Sequence, residues 1–556
     1  MRSTIVFIVA LAVAGSLTHA FHLRPKANAQ VPYRASLNVT CTFCRQFLDA
    51  AMTWMSEGMS TEELINRLTA MCVQSGAFNE RVCRGTIEIY IDTFIWIADT
   101  RNATGNPLTP SDMCGLGLYP DCNLDSSKFE WMLDLDFLGS KPTPEEGSPT
   151  VKVLQITDVH VDPNYAPGYD AECKGEPTCC RADQGIPADP NAAAGYWGDY
   201  RLCDAPMHAY ENLVQDAATR HQDIAYMIFS GDLTDHAVWA SSEQYNSDLI
   251  TYVVNTFSNN FHNVPVINIF GNHESHPTSV YLAADLWTPW LTPDTRPDIL
   301  AGGMFTTEVR PGLVVIGINT MFCYSANAWV MYDNVDPAGE LMWLANKLLE
   351  VETAGKKAHI LGHHPSGHSN CFHMWSTQYR RIIDRFENTV MAQFHGHTHN
   401  DHFAVYYDLA DISRATSVSF TAGSGTPFTE VNPNYRVYVV DADPASYRVL
   451  DHETWYYNLT EANLGGQSVP PNWQLMYTFN DAYGTSAPFP SQMDDLVHRM
   501  VNDTVLQDKY WRYYEKLGDP ALAEGCDERC MERLICRTVT TVQGDTSKCD
   551  ELYPAV

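Results

Sequence analysis

Short apolar runs bounded by glycine or charged residues recur through the middle of the chain, at 151–156, 224–229, 264–270, 358–361 and 391–394. Runs of this length read as buried strands. Helical spacing of apolar residues appears between them over 207–219, 244–257 and 339–353, and strands alternating with helices predict an α/β layered fold. Upstream, Phe43, Phe47, Leu48, Met52 and Met55 fall at three- and four-residue steps, as do Ile87, Ile91, Phe94 and Ile95, and Ser60 to Glu63 resembles a capping box. That region is predicted to be all-helical. Beyond about Asp451 the strand pattern fades, and 493–517 reads as one amphipathic helix along Leu496, Met500, Leu506, Tyr510 and Tyr513.

Length divides the picture. A chain of 556 residues exceeds one ordinary core and implies about three to four units. The apolar run over 5–17 follows Arg2 and is closed by the small residue Ala20, which marks a secretory signal at 1–20, too short to span a membrane. No later stretch stays apolar for about eighteen residues, so no transmembrane anchor is expected. A run with three prolines over 141–150 marks an exposed linker. The expected division is a signal at 1–20, an N-terminal segment at 21–40, a helical unit at 41–125, a proline-containing linker at 126–150, an α/β domain at 151–450 and a helical, disulfide-rich region at 451–556.

Sixteen cysteines and four glycosylation acceptors, Asn38, Asn102, Asn458 and Asn502, fit an oxidising lumenal or extracellular compartment, hence a secreted or lysosomal protein. Cys41, Cys44, Cys72, Cys83, Cys114 and Cys122 form a disulfide framework in the helical unit, whose pairing the spacing leaves open. Cys173, Cys179, Cys180 and Cys203 crowd a loop rich in Pro, Gly and Asp, where stapling is expected rather than a zinc site. Cys323 and Cys371 read as a further structural pair, and Cys526, Cys530, Cys536 and Cys549 staple the C-terminal region. A net charge of −32 excludes a nucleic-acid-binding surface. It also permits an acidic compartment, where part of that charge is discharged at about pH 5, although many secreted proteins are simply acidic.

The candidate chemistry lies just past the strands. In chain order come Asp158 and His160, Gly231-Asp232 with Asp235, Gly271-Asn272-His273-Glu274, His363-His364, and Gly396-His397 with His399. Carboxylate, imidazole and one amide oxygen suit zinc, manganese or iron rather than calcium. Ligands from the ends of successive strands converge at one sheet edge, where α/β enzymes place their sites. The glycines beside Asp232, Asn272 and His397 allow sharp turns there.

This ordered set resembles the calcineurin-like metallophosphoesterase superfamily from Val151 to about Asp451. The resemblance implies a layered β-sandwich flanked by helices, with Asp158, His160 and His399 on one metal, Asn272, His363 and His397 on the other, and Asp232 bridging. The purple acid phosphatase branch has tyrosine three residues after the bridging aspartate, whereas Asp235 stands here, which points to two zinc ions. Two metals about 3.5–4 Å apart activate a water and clamp phosphoryl oxygens, so no side-chain nucleophile is needed. His273 and His236 are then the candidate proton donors to the leaving group, with Glu274 as support.

The six-cysteine helical unit resembles a saposin domain, which implies Cys41–Cys122, Cys44–Cys114 and Cys72–Cys83 and a lipid-facing role. The whole arrangement is similar to the acid sphingomyelinase family. That similarity implies Cys173–Cys179, Cys180–Cys203, Cys323–Cys371, Cys526–Cys530 and Cys536–Cys549, and a monomer that hydrolyses sphingomyelin to ceramide and phosphocholine at a membrane surface. The alternatives are a sphingomyelinase-like phosphodiesterase acting on nucleotides or other soluble phosphoesters, whose family lacks the saposin unit, and a lipid-transfer protein with a relict metal domain. Trp197, Trp329 and Tyr324 are candidates for an aromatic cage around choline.

Overall fold

The computed structural model describes residues 33–76, 78–119, 122, 127–135, 149–274 and 280–554. The signal expected at 1–20, most of the segment at 21–40, the side chain of Asn38 and linker residues 136–148 lie outside them.

Two six-stranded mixed sheets form the centre of the molecule. The first runs β14(Gln474–Thr478), β13(Val449–Tyr456), β12(Asn434–Asp441), β1(Thr150–Ile156), β4(Ile224–Phe229) and β5(Val266–Asn268). The second runs β10(His402–Tyr407), β11(Ala415–Thr421), β9(Val390–His395), β8(Lys357–Leu361), β7(Leu313–Gly317) and β6(Phe305–Arg310). Strands β1, β4 and β5 are parallel in one sheet and β7, β8, β9 and β11 in the other. A short parallel pair joins β2(Val161–Asp162) to β3(Ala205–Pro206).

Alternation along each strand sorts side chains between layers. Val153, Tyr226 and Ile228 point between the sheets toward Leu361, Phe394 and Phe420. Leu154, Ile156, Met227 and Phe229 point outward to Leu213, Val253 and Phe257, on helices Met207–Arg220 and Glu243–Asn260. Helices Glu340–Thr353 and His373–Arg385 cover the other outer face. Both faces of the parallel strands are thereby buried, which is why those strands read as unbroken apolar runs.

The strand pattern does not fade after Asp451. Strand β13 crosses that point and β14 follows it, both in the first sheet. β14 is the edge strand and β13 its neighbour, and in both polar residues are interspersed with apolar ones and several side chains are only partly buried, so no continuous run betrays them. The single helix expected at 493–517 is two, Pro490–Asn502 and Thr504–Tyr514. Asp503 leaves the helical conformation and its carboxylate accepts the Val505 and Leu506 N–H groups, an N-cap that starts a second helix.

The N-terminal helices are Tyr33–Ser56, Thr61–Gln74, Glu80–Ala103 and Pro110–Gly117. Ser60 caps the second by accepting the Glu63 N–H at 3.3 Å, but Glu63 turns to Arg67 rather than closing a capping box. Their core, including Phe47, Leu68, Ile87 and Phe94, is continuous with that of the second sheet's outer face. Asn79 links the units directly, its N–H donating to Gly175 O at 2.7 Å and its amide to Glu176 at 2.9 Å. Of the linker, residues 127–135 lie against helix His373–Arg385, with the Leu133 N–H donating to Gln378 at 3.0 Å.

Disulfides join Cys41–Cys122, Cys44–Cys114, Cys72–Cys83, Cys173–Cys179, Cys180–Cys203, Cys323–Cys371, Cys526–Cys530 and Cys536–Cys549.

Candidate metal centre

Asp158, His160, Asp232, Asn272, His363, His397 and His399 are all buried in the turns just beyond β1, β4, β5, β8 and β9. Five of them, Asp158, His160, Asp232, His397 and His399, have φ between 36° and 71°. Such conformations cost a non-glycine residue about 1–3 kcal/mol each and persist only where the surroundings enforce them. The enforcement is visible in the backbone. Asp158 N–H donates to Gly231 O at 3.0 Å and His160 N–H to Asp232 O at 3.1 Å, locking the first motif against the second. Glu274 accepts the N–H groups of Asp232 (3.1 Å), Gly271 (2.5 Å) and Leu233, tying the second motif to the third.

The glycines act differently from one another. Gly231 adopts φ +95°. Gly271 and Gly396 are needed for close approach instead: a Cβ would lie 2.2 Å from Asp232 Oδ1 at the first and 2.3 Å from Asp158 Oδ2 at the second.

Hydrogen bonds at Nδ1 decide which ring nitrogens face inward. His160 Nδ1 donates to Thr234 O (2.8 Å), His363 Nδ1 to Ser230 O (2.7 Å) and His399 Nδ1 to Phe428 O (3.4 Å). Carbonyls only accept, so the proton is on Nδ1 and each Nε2 presents a lone pair. His160 and His399 then aim these lone pairs at each other across 3.1 Å. His363 Nε2 lies 3.1 Å from both Asn272 Oδ1 and Asp232 Oδ2, three heteroatoms that can close together only around a proton or a metal ion. Lone pairs this close repel unless a proton or a metal ion sits among them, and imidazole, carboxylate and amide donors gathered at two adjacent positions fit a pair of metal ions. Asp158, Asp232 and His363 offer ligand atoms within 4.8 Å of one another, as do His363, His364 and His397.

The electrostatics agree. Burial pushes Asp158 up to about 7, with the Asp232 carboxylate adding to it. Burial alone would lower His363, but Asp232 and Asp158 outweigh it and push it up to about 9. The cluster therefore favours positive charge at its centre.

His236 and His273 flank this centre. His236 lies between His160 and Phe428, with ring centroids 3.9 and 4.1 Å away, and its Nδ1 is 2.6 Å from the Asp204 carboxylate. The His273 N–H donates to Asp232 Oδ1 at 2.8 Å, and its ring centroid lies 4.5 Å from that of His236. Asp235 faces away from the centre, paired with Arg181 at 3.2 Å and accepting the Tyr245 hydroxyl at 2.5 Å.

Sequence reasoning passed over Asp204, Phe428 and Asn370, whose amide lies 3.3 Å from His397 Nε2. None carries a motif, because each reaches the centre from a remote loop. Of the cage candidates, Trp197 is excluded: it is buried, and its indole N–H is used by Gly466 O and Val469 O. Tyr324 stacks on His364 beside the centre, whereas Trp329 is half-exposed against Trp96.

Two stacked mixed sheets with paired imidazole and carboxylate clusters at their strand ends define a dimetal phosphoesterase, and the calcineurin-like phosphoesterase family matches residues 151–401. The acid sphingomyelin phosphodiesterase C-terminal region matches residues 395–550. Sphingomyelin phosphodiesterases of Bos taurus and Homo sapiens are 34% and 33% identical over 541 residues, spanning 93% of this chain and 84% of each relative. A cyclic GMP-AMP phosphodiesterase of Rattus norvegicus is 30% identical over 73% of this chain and 93% of its own length. The chain belongs to the acid sphingomyelin phosphodiesterase family.

Proposed function

We propose that this enzyme hydrolyses sphingomyelin to ceramide and phosphocholine at a two-zinc centre. The observation that carries the reaction class is the convergence of ligand atoms from His160 with His399 and from His363 with Asn272 around Asp232. In this reading Asp158, His160 and His399 hold one ion, Asn272, His363 and His397 the other, and Asp232 both. Bound there, the ions supply an activated water and neutralise charge developing on the phosphoryl oxygens.

The protein's own groups do the rest. Asp204 fixes His236 through Nδ1, which leaves Nε2 to hand a proton to the departing alkoxide. His273, tethered through its backbone to Asp232, is the second donor candidate and a phosphate contact. Glu274 holds the turns that present Asp232 and Asn272. Zinc rather than an iron-containing pair is supported by Asp235, which puts a carboxylate turned toward Arg181 where a tyrosine ligand would stand.

The lipid substrate is supported by the 93% span shared with sphingomyelin phosphodiesterases, against 73% for the nucleotide-acting relative. Exposed aromatics add to it. Trp96 of the helical unit meets Trp329 and Tyr332 at centroid distances of 5.6 and 4.8 Å, and all three are more than 40% exposed. Amphipathic rings of this kind sit well at a lipid–water boundary, consistent with a saposin-type unit presenting lipid to the centre. Among the described residues no helix is long and apolar enough to cross a membrane. Eight disulfides support a secreted or lumenal chain, and lysosomal delivery, glycosylation at Asn38, Asn102, Asn458 and Asn502, and a monomeric state belong to the same proposal.

The test compares zinc-loaded protein on sphingomyelin vesicles and on a soluble nucleotide phosphodiester at pH 5 and pH 7. Phosphocholine release from the vesicles is expected. Turnover confined to the nucleotide would overturn the substrate assignment and leave the metal centre standing.

A further inference from the structure

Lys516 is fully buried, although it belongs to the C-terminal region, far in sequence from every metal-site motif. Its amine makes two hydrogen bonds to one residue, Ser424 O at 2.9 Å and Ser424 Oγ at 2.7 Å. Among the described residues no carboxylate lies within ion-pair distance of it, and burial pulls its pKa well below the ordinary lysine value. Lys516 and Leu517 both adopt left-handed backbone, at φ 50° and 55°. Asn432 fixes that corner, its amide donating to Lys516 O at 3.0 Å and to Leu517 O at 2.8 Å. Gly423 admits the lysine stem, since a Cβ there would lie 2.3 Å from Lys516 Cδ. Buried amines and consecutive strained residues are unfavourable and persist only when the surroundings over-determine them.

What they hold is the loop at 422–428. Ser424 N–H donates to His399 O at 3.2 Å, Gly425 N–H to Thr157 O at 2.9 Å and Thr426 N–H to Asp158 O at 3.0 Å. Ser424 Oγ donates to Thr426 O at 2.6 Å, and Phe428 O is the acceptor that sets the His399 tautomer. The loop thus touches Asp158 and His399, two ligands assigned to the same ion.

We propose that Lys516 is a positioning residue which, by clamping the 422–428 loop, sets the Asp158–His399 half of the dimetal centre, so that the C-terminal region controls occupancy of that half. This rests on the ligand assignment proposed above. Residues that orient ligands from behind typically change metal affinity about 10–100-fold. A general staple of the fold would weaken both halves together.

The test uses the full-length chain with Lys516→Met, which keeps the stem and removes the donors. Wild type and variant are loaded with zinc and dialysed against stepped chelator, and zinc per chain is measured by mass spectrometry beside the melting temperature. The variant is expected to lose one ion at about 10–100-fold lower chelator and to keep the other at the wild-type concentration. In combination with Asn272→Ala, which removes a ligand of the other half, it should retain no ion at that chelator level. Release of both ions at the wild-type concentrations, or an equal weakening of both with a lower melting temperature, overturns the inference. Should Lys516→Met not fold, Ser424→Ala removes the Oγ that accepts from Lys516 and donates to Thr426 O, two bonds of the same clamp, and must still weaken one ion selectively. A wild-type chain that binds fewer than two ions would instead overturn the ligand assignment on which the inference stands.

Discussion

Replacing Gly271 by alanine asks a methyl group to occupy space that Asp232 already fills. The new Cβ would lie 2.2 Å from Asp232 Oδ1 and 2.4 Å from Asp232 N, whereas ordinary contact begins at 3.4 Å. The shortfall is about 1 Å, too steep on the repulsive wall to absorb in place. Oδ1 accepts the His273 N–H at 2.8 Å, and Glu274 grips the N–H groups of both Asp232 and Gly271, so the carboxylate cannot retreat without disturbing its neighbours. Gly271 is not at positive φ, so the methyl imposes contact strain and no backbone penalty. Misplacing a reacting-site group by about 1 Å costs about 10²-fold in rate, equivalent to about 2.7 kcal/mol of barrier. The assay is kcat on bis(p-nitrophenyl) phosphate, a substrate independent of the lipid assignment, with zinc per chain and the circular dichroism spectrum measured alongside. An unchanged spectrum with kcat down about a hundredfold is expected. A kcat within about threefold of wild type with full zinc content would refute the placement of Asp232 at the centre.

His236→Ala and His273→Ala should each slow sphingomyelin hydrolysis by about 10²–10⁴-fold. The p-nitrophenyl diester, whose leaving group needs no proton, should lose far less; equal losses on both substrates would contradict a proton-donor role. Zinc affinity should fall as pH drops from 7 to 5, because His363, pushed up to about 9, and Asp158, pushed up to about 7, hold protons that a cation must displace. Each displaced proton contributes up to about tenfold per pH unit, and competition with a chelating dye showing flat or rising affinity would refute that coupling. Arg436→Met leaves the Asp401 carboxylate buried without its ion-pair partner behind the site, where Tyr477 and Thr454 still donate to it. A loss of about 3–5 kcal/mol in urea unfolding is expected, and one below about 1 kcal/mol would show that the hydroxyls suffice.

The five metal motifs were legible in the sequence because strand-end glycines and ligands sit a few residues apart, at the length scale on which local pattern is informative. The apolar runs before them were equally legible, being strands buried on both faces. The edge strand β14 and its neighbour β13 were not, since a half-wet strand mixes polar and apolar residues and resembles a loop. The break at Asp503 escaped a reading that followed the apolar stripe, although the Asp503 side chain itself carries the cap.

By itself the sequence determined which side chains could bind metal, the order in which strands deliver them, and the compartment that its cysteines require. Only the tertiary structure decided how they are held. It turned Asp158, His160, Asp232, His397 and His399 into left-handed backbone, chose the Nε2 face of three imidazoles by placing carbonyls at Nδ1, brought Asp204 and Phe428 to the histidines of the centre, and set Lys516 against the loop behind it. These are contacts between residues separated by tens to hundreds of positions, and the energies that enforce them come from packing and hydrogen bonding that no local periodicity encodes.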